Sequence, residues 1–227
     1  MALTTPEYAF SETLVAQLRD YPEWHKGRSR YAIWMVPIDC PQVLGCMAEV
    51  TDQLADLLHP TQRQAHLTVY VCGFEQPAAV HDDDFTATQL QQQLAALAAL
   101  RSSTCVLQVG RPASFSSAAY LTVADPDEHL AAWRHALAVG GTEVRFGPYV
   151  PHITLGLYRQ ATGVEQLRQR LDRVVVPAGL QLPVDRLEYA TYSSADMFGP
   201  LQCRQTVWLG GGSKAGDGVA NARQGSR

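Results

Sequence analysis

Two stretches of the sequence, His66-Leu67-Thr68-Val69 and His152-Ile153-Thr154-Leu155, repeat one pattern of histidine, aliphatic, threonine, aliphatic at a separation of 86 residues. Each opens or sits within an apolar run that reads as a strand, His66 to Phe74 and Val150 to Tyr158. Side chains alternate along a strand, so His66 and Thr68 share one face while Leu67 and Val69 share the other, and the second copy repeats this. The chain has 7 histidines in 227 residues, a composition that makes well under one such motif expected by chance. One copy alone reads as an ordinary core histidine; the matched pair reads as chemistry. Two imidazoles that titrate near neutral pH can serve as general base and general acid, and a hydroxyl two residues on can donate to a phosphate oxygen.

Outward from these motifs the pattern alternates. Arg30 to Ile38 reads as a strand that ends near Pro37, and Val43, Met47, Val50, Leu54 and Leu57 stripe a helix from about Pro41 to Leu58. Beyond the first motif, Thr86 is positioned to cap a helix carrying Leu90, Leu94 and Leu97. Cys105 to Val109 and Ala118 to Ala124 read as a pair of strands, and a helix starting at Pro126 with Leu130, Trp133 and Leu137 ends at Gly140 and Gly141. After the second motif, Val164, Leu167, Leu171 and Val174 mark another helix, and Val184 to Tyr192 and Cys203 to Leu209 complete the strands. The expected fold is α+β, with two similar lobes whose mainly antiparallel sheets line a central cleft and whose helices pack outside. Residues 30–210 form this domain, residues 1–29 are a helical extension (Pro6 to Asp20) and linker, and the glycine-rich residues 211–227 are expected to be a disordered tail.

Composition narrows the function. Hydrophobic residues are 46% and charged residues 18%, as in globular proteins, and the net charge of −4 gives no electrostatic footprint for long duplex nucleic acid. No apolar run approaches the roughly 18 residues of a membrane span, and the N-terminus does not read as a secretory signal. Five cysteines at irregular spacing without a Cys-x-x-Cys argue against a disulfide framework or a zinc site, so a cytoplasmic monomer without membrane contact is expected.

The paired motifs, with Tyr31-Ala32-Ile33-Trp34 and Pro37 ahead of the first and Pro148-Tyr149-Val150-Pro151 ahead of the second, resemble the two-histidine phosphoesterase superfamily. The resemblance runs from about Arg30 to Gly210, is nearest to eukaryotic cyclic phosphodiesterases, and has bacterial RNA 2′,5′-ligase-like proteins as near neighbours. It implies a bilobal two-histidine phosphoesterase fold and opening of a 2′,3′-cyclic phosphate of a nucleotide or short RNA end, or of ADP-ribose cyclic phosphate, to a monoester without metal or other cofactor. His66 and His152 would be base and acid in an order the sequence does not give, and Thr68 and Thr154 would hold the non-bridging oxygens. By the same resemblance Trp34 would stack on the substrate base, Phe115, in a Phe-x-x-x-x-Tyr-Leu context, would floor the cleft, and Tyr158 would be the aromatic just past the second motif. Tyr70 shares the face of His66 and Thr68 by strand alternation and would line the pocket.

Other features carry less. His81-Asp82-Asp83-Asp84 is a single acidic cluster and reads as a solvated loop. His129 and His135, six apart, fall on different helix faces, and Cys72 reads as a small buried residue. Two rivals to the hydrolase remain: a ligase-like enzyme using the same four residues on longer RNA ends, and a nucleotide- or RNA-binding protein that has lost turnover.

Overall fold

The computed structural model describes residues 10–145 and 147–210. Pro22–His25 (α1) precedes strand Arg30–Pro37 (β1) and helix Pro41–Gln53 (α2). The first motif opens His66–Glu75 (β2); Asp84–Phe85 (β3), Ala87–Leu100 (α3), Cys105–Ser114 (β4), Ala118–Ala124 (β5) and His129–Leu137 (α4) follow. The second motif opens His152–Leu157 (β6), ahead of Val164–Asp172 (α5), Gln181–Val184 (β7), Arg186–Ser193 (β8) and Gln202–Trp208 (β9).

These strands form one sheet in the order β7-β4-β5-β6-β2-β1-β8-β9, with β3 beside β2. All pairings are antiparallel except the short β2–β3 pair. The two halves match the two expected lobes, and among the described residues they meet in a single ladder pair, Leu67 with Ile153. The second half is a contiguous insertion into the first: Cys105, which begins it, is the register partner of Val184, which ends it.

Helices α2 to α5 share one side of the sheet. Val43, Cys46 and Val50 of α2, Leu97 of α3, Leu130, Trp133 and Leu137 of α4, and Leu167 and Leu171 of α5 join one core with Leu67, Val69, Ile153 and Leu155. Burying these apolar stripes is worth about 1.5–3 kcal/mol per large side chain before conformational entropy is counted. The opposite face carries a smaller cluster of Ile33, Met35, Ala190 and Leu201. Thr86 caps α3 as expected, accepting from Gln89 N, while the Gln89 side chain accepts from Thr86 N at 2.8 Å. Helix α4 begins at His129, three residues past Pro126, because Asp125 Oδ2 accepts from Leu130 N (2.5 Å) and caps there.

The N-terminal expectation fails over the described part. Residues 10–20 are not helical. Their backbone is claimed by the second half: Thr13 N donates to Thr162 O (3.0 Å), Leu14 N to Ser116 O (2.7 Å) and Ala16 N to Tyr158 O (2.8 Å). Leu14, Val15 and Leu18 are 61%, 47% and 62% exposed, so these side chains cover no apolar surface that would hold a helix in place. Among the described residues before β1 the only helix, α1, falls in the stretch expected to be linker. Residues 1–9 and the expected tail, 211–227, lie outside the described residues.

The acidic cluster is also more ordered than a solvated loop. Asp84 is buried, ion-paired to Arg28 (2.7 Å), and accepts from Val80 N and His81 N (both 2.8 Å). It is a structural brace, and no metal cluster of three or more His, Cys, Asp or Glu occurs among the described residues. Among those residues no helix is long and apolar enough to cross a membrane.

Candidate functional site

The pairing of Leu67 with Ile153 brings the two motifs side by side. Extending that antiparallel register by one residue each way sets His66 opposite Thr154 and Thr68 opposite His152. The two histidines are then diagonal neighbours, a relationship that corresponds to about 7–8 Å between backbone positions in a regular pair. All four side chains are partly exposed, whereas Leu67 and Ile153 between them are fully buried on the helix side.

The two imidazoles are held alike. His66 Nδ1 lies 2.8 Å from Gln64 O and His152 Nδ1 lies 2.7 Å from Val150 O, in each case the carbonyl two residues back. A carbonyl only accepts, so Nδ1 carries the proton in the neutral ring and Nε2 is the basic nitrogen on both. The next carbonyl is fixed to the neighbouring strand in both halves: Ala65 O accepts from Ile38 N (3.0 Å) and Pro151 O from Val123 N (3.2 Å). Among the described residues neither Thr68 nor Thr154 has a protein hydrogen-bond partner for its hydroxyl, which leaves both as donors to a ligand.

Burial, aided by the positive charge of Arg63, pushes the His66 imidazole down to about 4. Burial, with Arg145 nearby, also lowers His152. A field from the neighbouring His152 adds to the effect on His66. Both rings are therefore poor at holding a proton in this environment.

A bulge follows each motif at the same place. Along β2, Trp34 pairs with Tyr70 and Met35 with Thr68, which leaves Val69 unpaired. Along β6, Ala119 pairs with Gly156 and Tyr120 with Thr154, which leaves Leu155 unpaired. Each extra residue turns the strand over, so later side chains change face. The groups freed on β2 are met by α4 and the α4–β6 connection: Tyr149 Oη donates to Thr68 O (3.0 Å), Arg134 Nη1 to Val69 O (2.6 Å), and Glu143 Oε1 accepts from Val71 N (3.0 Å).

Three expected contacts are absent, two of them, Tyr70 and Tyr158, through this inversion. Tyr70 is on the helix side, 3% exposed, with its hydroxyl donating to Gly141 O at 2.6 Å. Tyr158 is fully buried and hydrogen-bonded to Ser114 Oγ (2.5 Å). Trp34 is fully buried in the same core and donates from Nε1 to Gln93 Oε1 (2.7 Å), so its neighbour Met35, and not Trp34, shares the face of Thr68. Phe115 lies edge-on to His152 with ring centroids 5.0 Å apart.

Two site neighbours escaped the sequence reading. Tyr120, opposite Thr154 on β5, packs 5.2 Å from His152 and stacks on Phe115 at 4.3 Å, and its fully buried hydroxyl has no hydrogen-bond partner. Burial pushes that phenol up to about 12. Alternation along 118–124 puts Tyr120 and Thr122 on one face, but only the β5–β6 pairing shows that this is the histidine face. Arg63, a cation three residues before the first motif, is the other.

Solved structures share this architecture at low identity. Escherichia coli LigT in apo form matches with a TM-score of 0.55 and 13% identity, covering 81% of this chain and 99% of that one. LigT complexed with 3′-AMP gives 0.55 and 16%, covering 80% and 99%, and TT0787 of Thermus thermophilus gives 0.53 and 16%, covering 79% and 97%. No curated protein matches the chain. The family model of the 2′-5′ RNA ligase superfamily spans residues 47–196, both motifs and the bulge after each, and the chain belongs to that two-histidine phosphoesterase family.

Proposed function

We propose that the chain is a metal-independent phosphodiesterase that hydrolyses a 2′,3′-cyclic phosphate, on a nucleotide or a short RNA end, to a monoester. The reading rests on one observation: two neutral imidazoles with the same tautomer, each opposite the other motif's threonine. One Nε2 takes a proton from the attacking water as its oxygen bonds to phosphorus. The other, protonated, gives its proton to the departing ribose oxygen as the P–O bond breaks. Thr68 and Thr154 donate to the non-bridging oxygens, where charge grows in the transition state. That LigT crystallised with 3′-AMP and with phosphate supports a nucleotide-sized phosphate ligand for this architecture.

The test is turnover of 2′,3′-cyclic mononucleotides, ADP-ribose cyclic phosphate and RNA ending in a cyclic phosphate, all with EDTA present. Hydrolysis by the wild type and a fall of about 10²–10⁴-fold in kcat for His66→Ala and for His152→Ala are expected. Full activity in both variants overturns the mechanism. Joining of a 5′-hydroxyl RNA in place of hydrolysis selects the ligase, and binding without any turnover selects the non-catalytic rival.

A further inference from the structure

Arg63 lies on the segment that leads into β2, and its setting differs from that of the other interior arginines. Its Nε donates to Gly199 O at 3.3 Å, its Cζ lies 3.9 Å from the centre of the Tyr192 ring, and Nη2 is buried with no hydrogen-bond partner. Arg28, Arg134, Arg145 and Arg186 each face a carboxylate. Among the described residues Arg63 faces none, although the side chain as a whole is only partly buried.

A neutral donor could hold Gly199 as well as this guanidinium does. The positive charge is otherwise a liability, because it opposes protonation of His66, which needs a proton for half of any acid–base cycle. A bound anion removes that conflict. Its position says which anion. Arg63 rests on Tyr192 of β8, and β8 is separated from β2 by β1, so two strand spacings, about 9–10 Å, lie between β8 and β2. The guanidinium thus lies on the β8 side of the place between β2 and β6 where the cyclic phosphate is opened, close enough for its charge to act on His66, and a second phosphate one sugar away falls to that side.

We propose that Arg63 forms a second anion subsite, which takes a phosphate on the 5′ oxygen of the same ribose whose 2′,3′-cyclic phosphate is opened. This rests on the hydrolase reading above and narrows its substrate class. The 5′ phosphate is a terminal monoester on a free nucleotide and a phosphodiester on an RNA end. Arginine suits either, since its planar fork gives two parallel donors to a phosphate. The β8–β9 loop supplies the rigid seat: Gly199 holds Nε, and Gln64 beside Arg63 is bonded to Leu201 in both directions.

The experiment compares adenosine 2′,3′-cyclic phosphate with its 5′-phosphorylated form and with a diadenosine dinucleotide ending in a 2′,3′-cyclic phosphate. Wild-type kcat/KM should be about tenfold or more higher on the two that carry a 5′ phosphate, as expected for a charge-assisted contact, and the gain should sit in KM. In Arg63→Gln the ratio should collapse to near unity, and Arg63→Lys should regain part of it. Preference confined to the dinucleotide identifies the RNA end as the source, and preference confined to the mononucleotide identifies the free nucleotide. No preference in the wild type, or a preference that survives Arg63→Gln, overturns the subsite. Calorimetric binding of adenosine 3′,5′-bisphosphate against 3′-AMP, in protein whose melting confirms folding, separates the two claims. Arg63-dependent preference for the bisphosphate without turnover sinks the hydrolase and keeps the subsite; turnover without any such preference does the reverse.

Discussion

Gln64 grips Leu201 from both sides: its side-chain nitrogen donates to Leu201 O (3.2 Å) and its Oε1 accepts from Leu201 N (2.7 Å). The carbonyl of the same residue receives Nδ1–H of His66. One residue therefore anchors the β8–β9 loop and orients an imidazole. Gln64→Ala removes two hydrogen bonds and should cost about 1–3 kcal/mol of stability. Amide exchange at Leu201 should quicken and kcat/KM should fall several-fold. Unchanged exchange at Leu201 would show that the loop is held elsewhere.

The aromatic pair beside His152 makes a sharper prediction. Tyr120 buries a hydroxyl that has no partner, at a cost of about 1–3 kcal/mol. Tyr120→Phe keeps the ring against His152 and Phe115 and deletes the orphan, so Tm should rise, by about 2–4 °C for each kcal/mol recovered in a chain of this size. A fall in Tm would mean that the hydroxyl is satisfied in solution.

Trp34 separates cleft from core. Placed to stack on a base, it would show in KM; buried at 0% exposure and bonded to Gln93, it belongs to stability. Trp34→Ala should lower unfolding free energy by about 3–5 kcal/mol in urea titrations. Trp34→Phe, which leaves Gln93 Oε1 short of a donor, should destabilise by less and leave KM within about twofold, as expected for a side chain outside the site. A large KM effect in the phenylalanine variant contradicts the placement.

Both imidazoles lie below the ordinary histidine value, His66 at about 4. For kcat/KM the free enzyme must present one histidine protonated and one not. Those two conditions are met together only below about pH 6.5, the unperturbed histidine value, so kcat/KM should peak on the acid side and fall as pH rises. Stability has the opposite slope. The unfolded chain takes up protons near 6.5 while the folded rings do not, so the folded state loses stability as pH falls from 6.5 towards about 4. Kinetics with cyclic phosphate and thermal melts over that range check both signs. An optimum above about pH 7 would contradict the imidazole environments.

The four residues on which the proposed site rests were legible as one shared face because strand alternation is strict over four positions, which is the length of each motif. It failed one residue later. Val69 and Leu155 are extra residues opposite shorter neighbours, and a bulge is a property of two strands, so nothing in His66–Tyr70 alone announces it. Tyr70 and Tyr158 were lost to that, and Trp34 was lost because the resemblance carried residue types but not the face they occupy. The element order and the Thr86 cap were readable from apolar period and local chemistry. The N-terminal segment was not, because its fate is set by free backbone groups at Ser116, Tyr158 and Thr162, far along the chain.

The register of Cys105 with Val184 has a mechanical meaning. The chain enters and leaves the second half a strand's width apart, so the covalent path places almost no limit on how far that half swings from the first. What sets the gap between the imidazoles is non-covalent: the shared core on the helix side and, at the motifs themselves, the Leu67–Ile153 pair, the Tyr149 hydroxyl on Thr68, and Arg134 on Val69. The last three of these contacts each lie within two residues of a motif histidine or threonine on β2 or β6. Substitutions there would change the span between the two imidazoles without touching either.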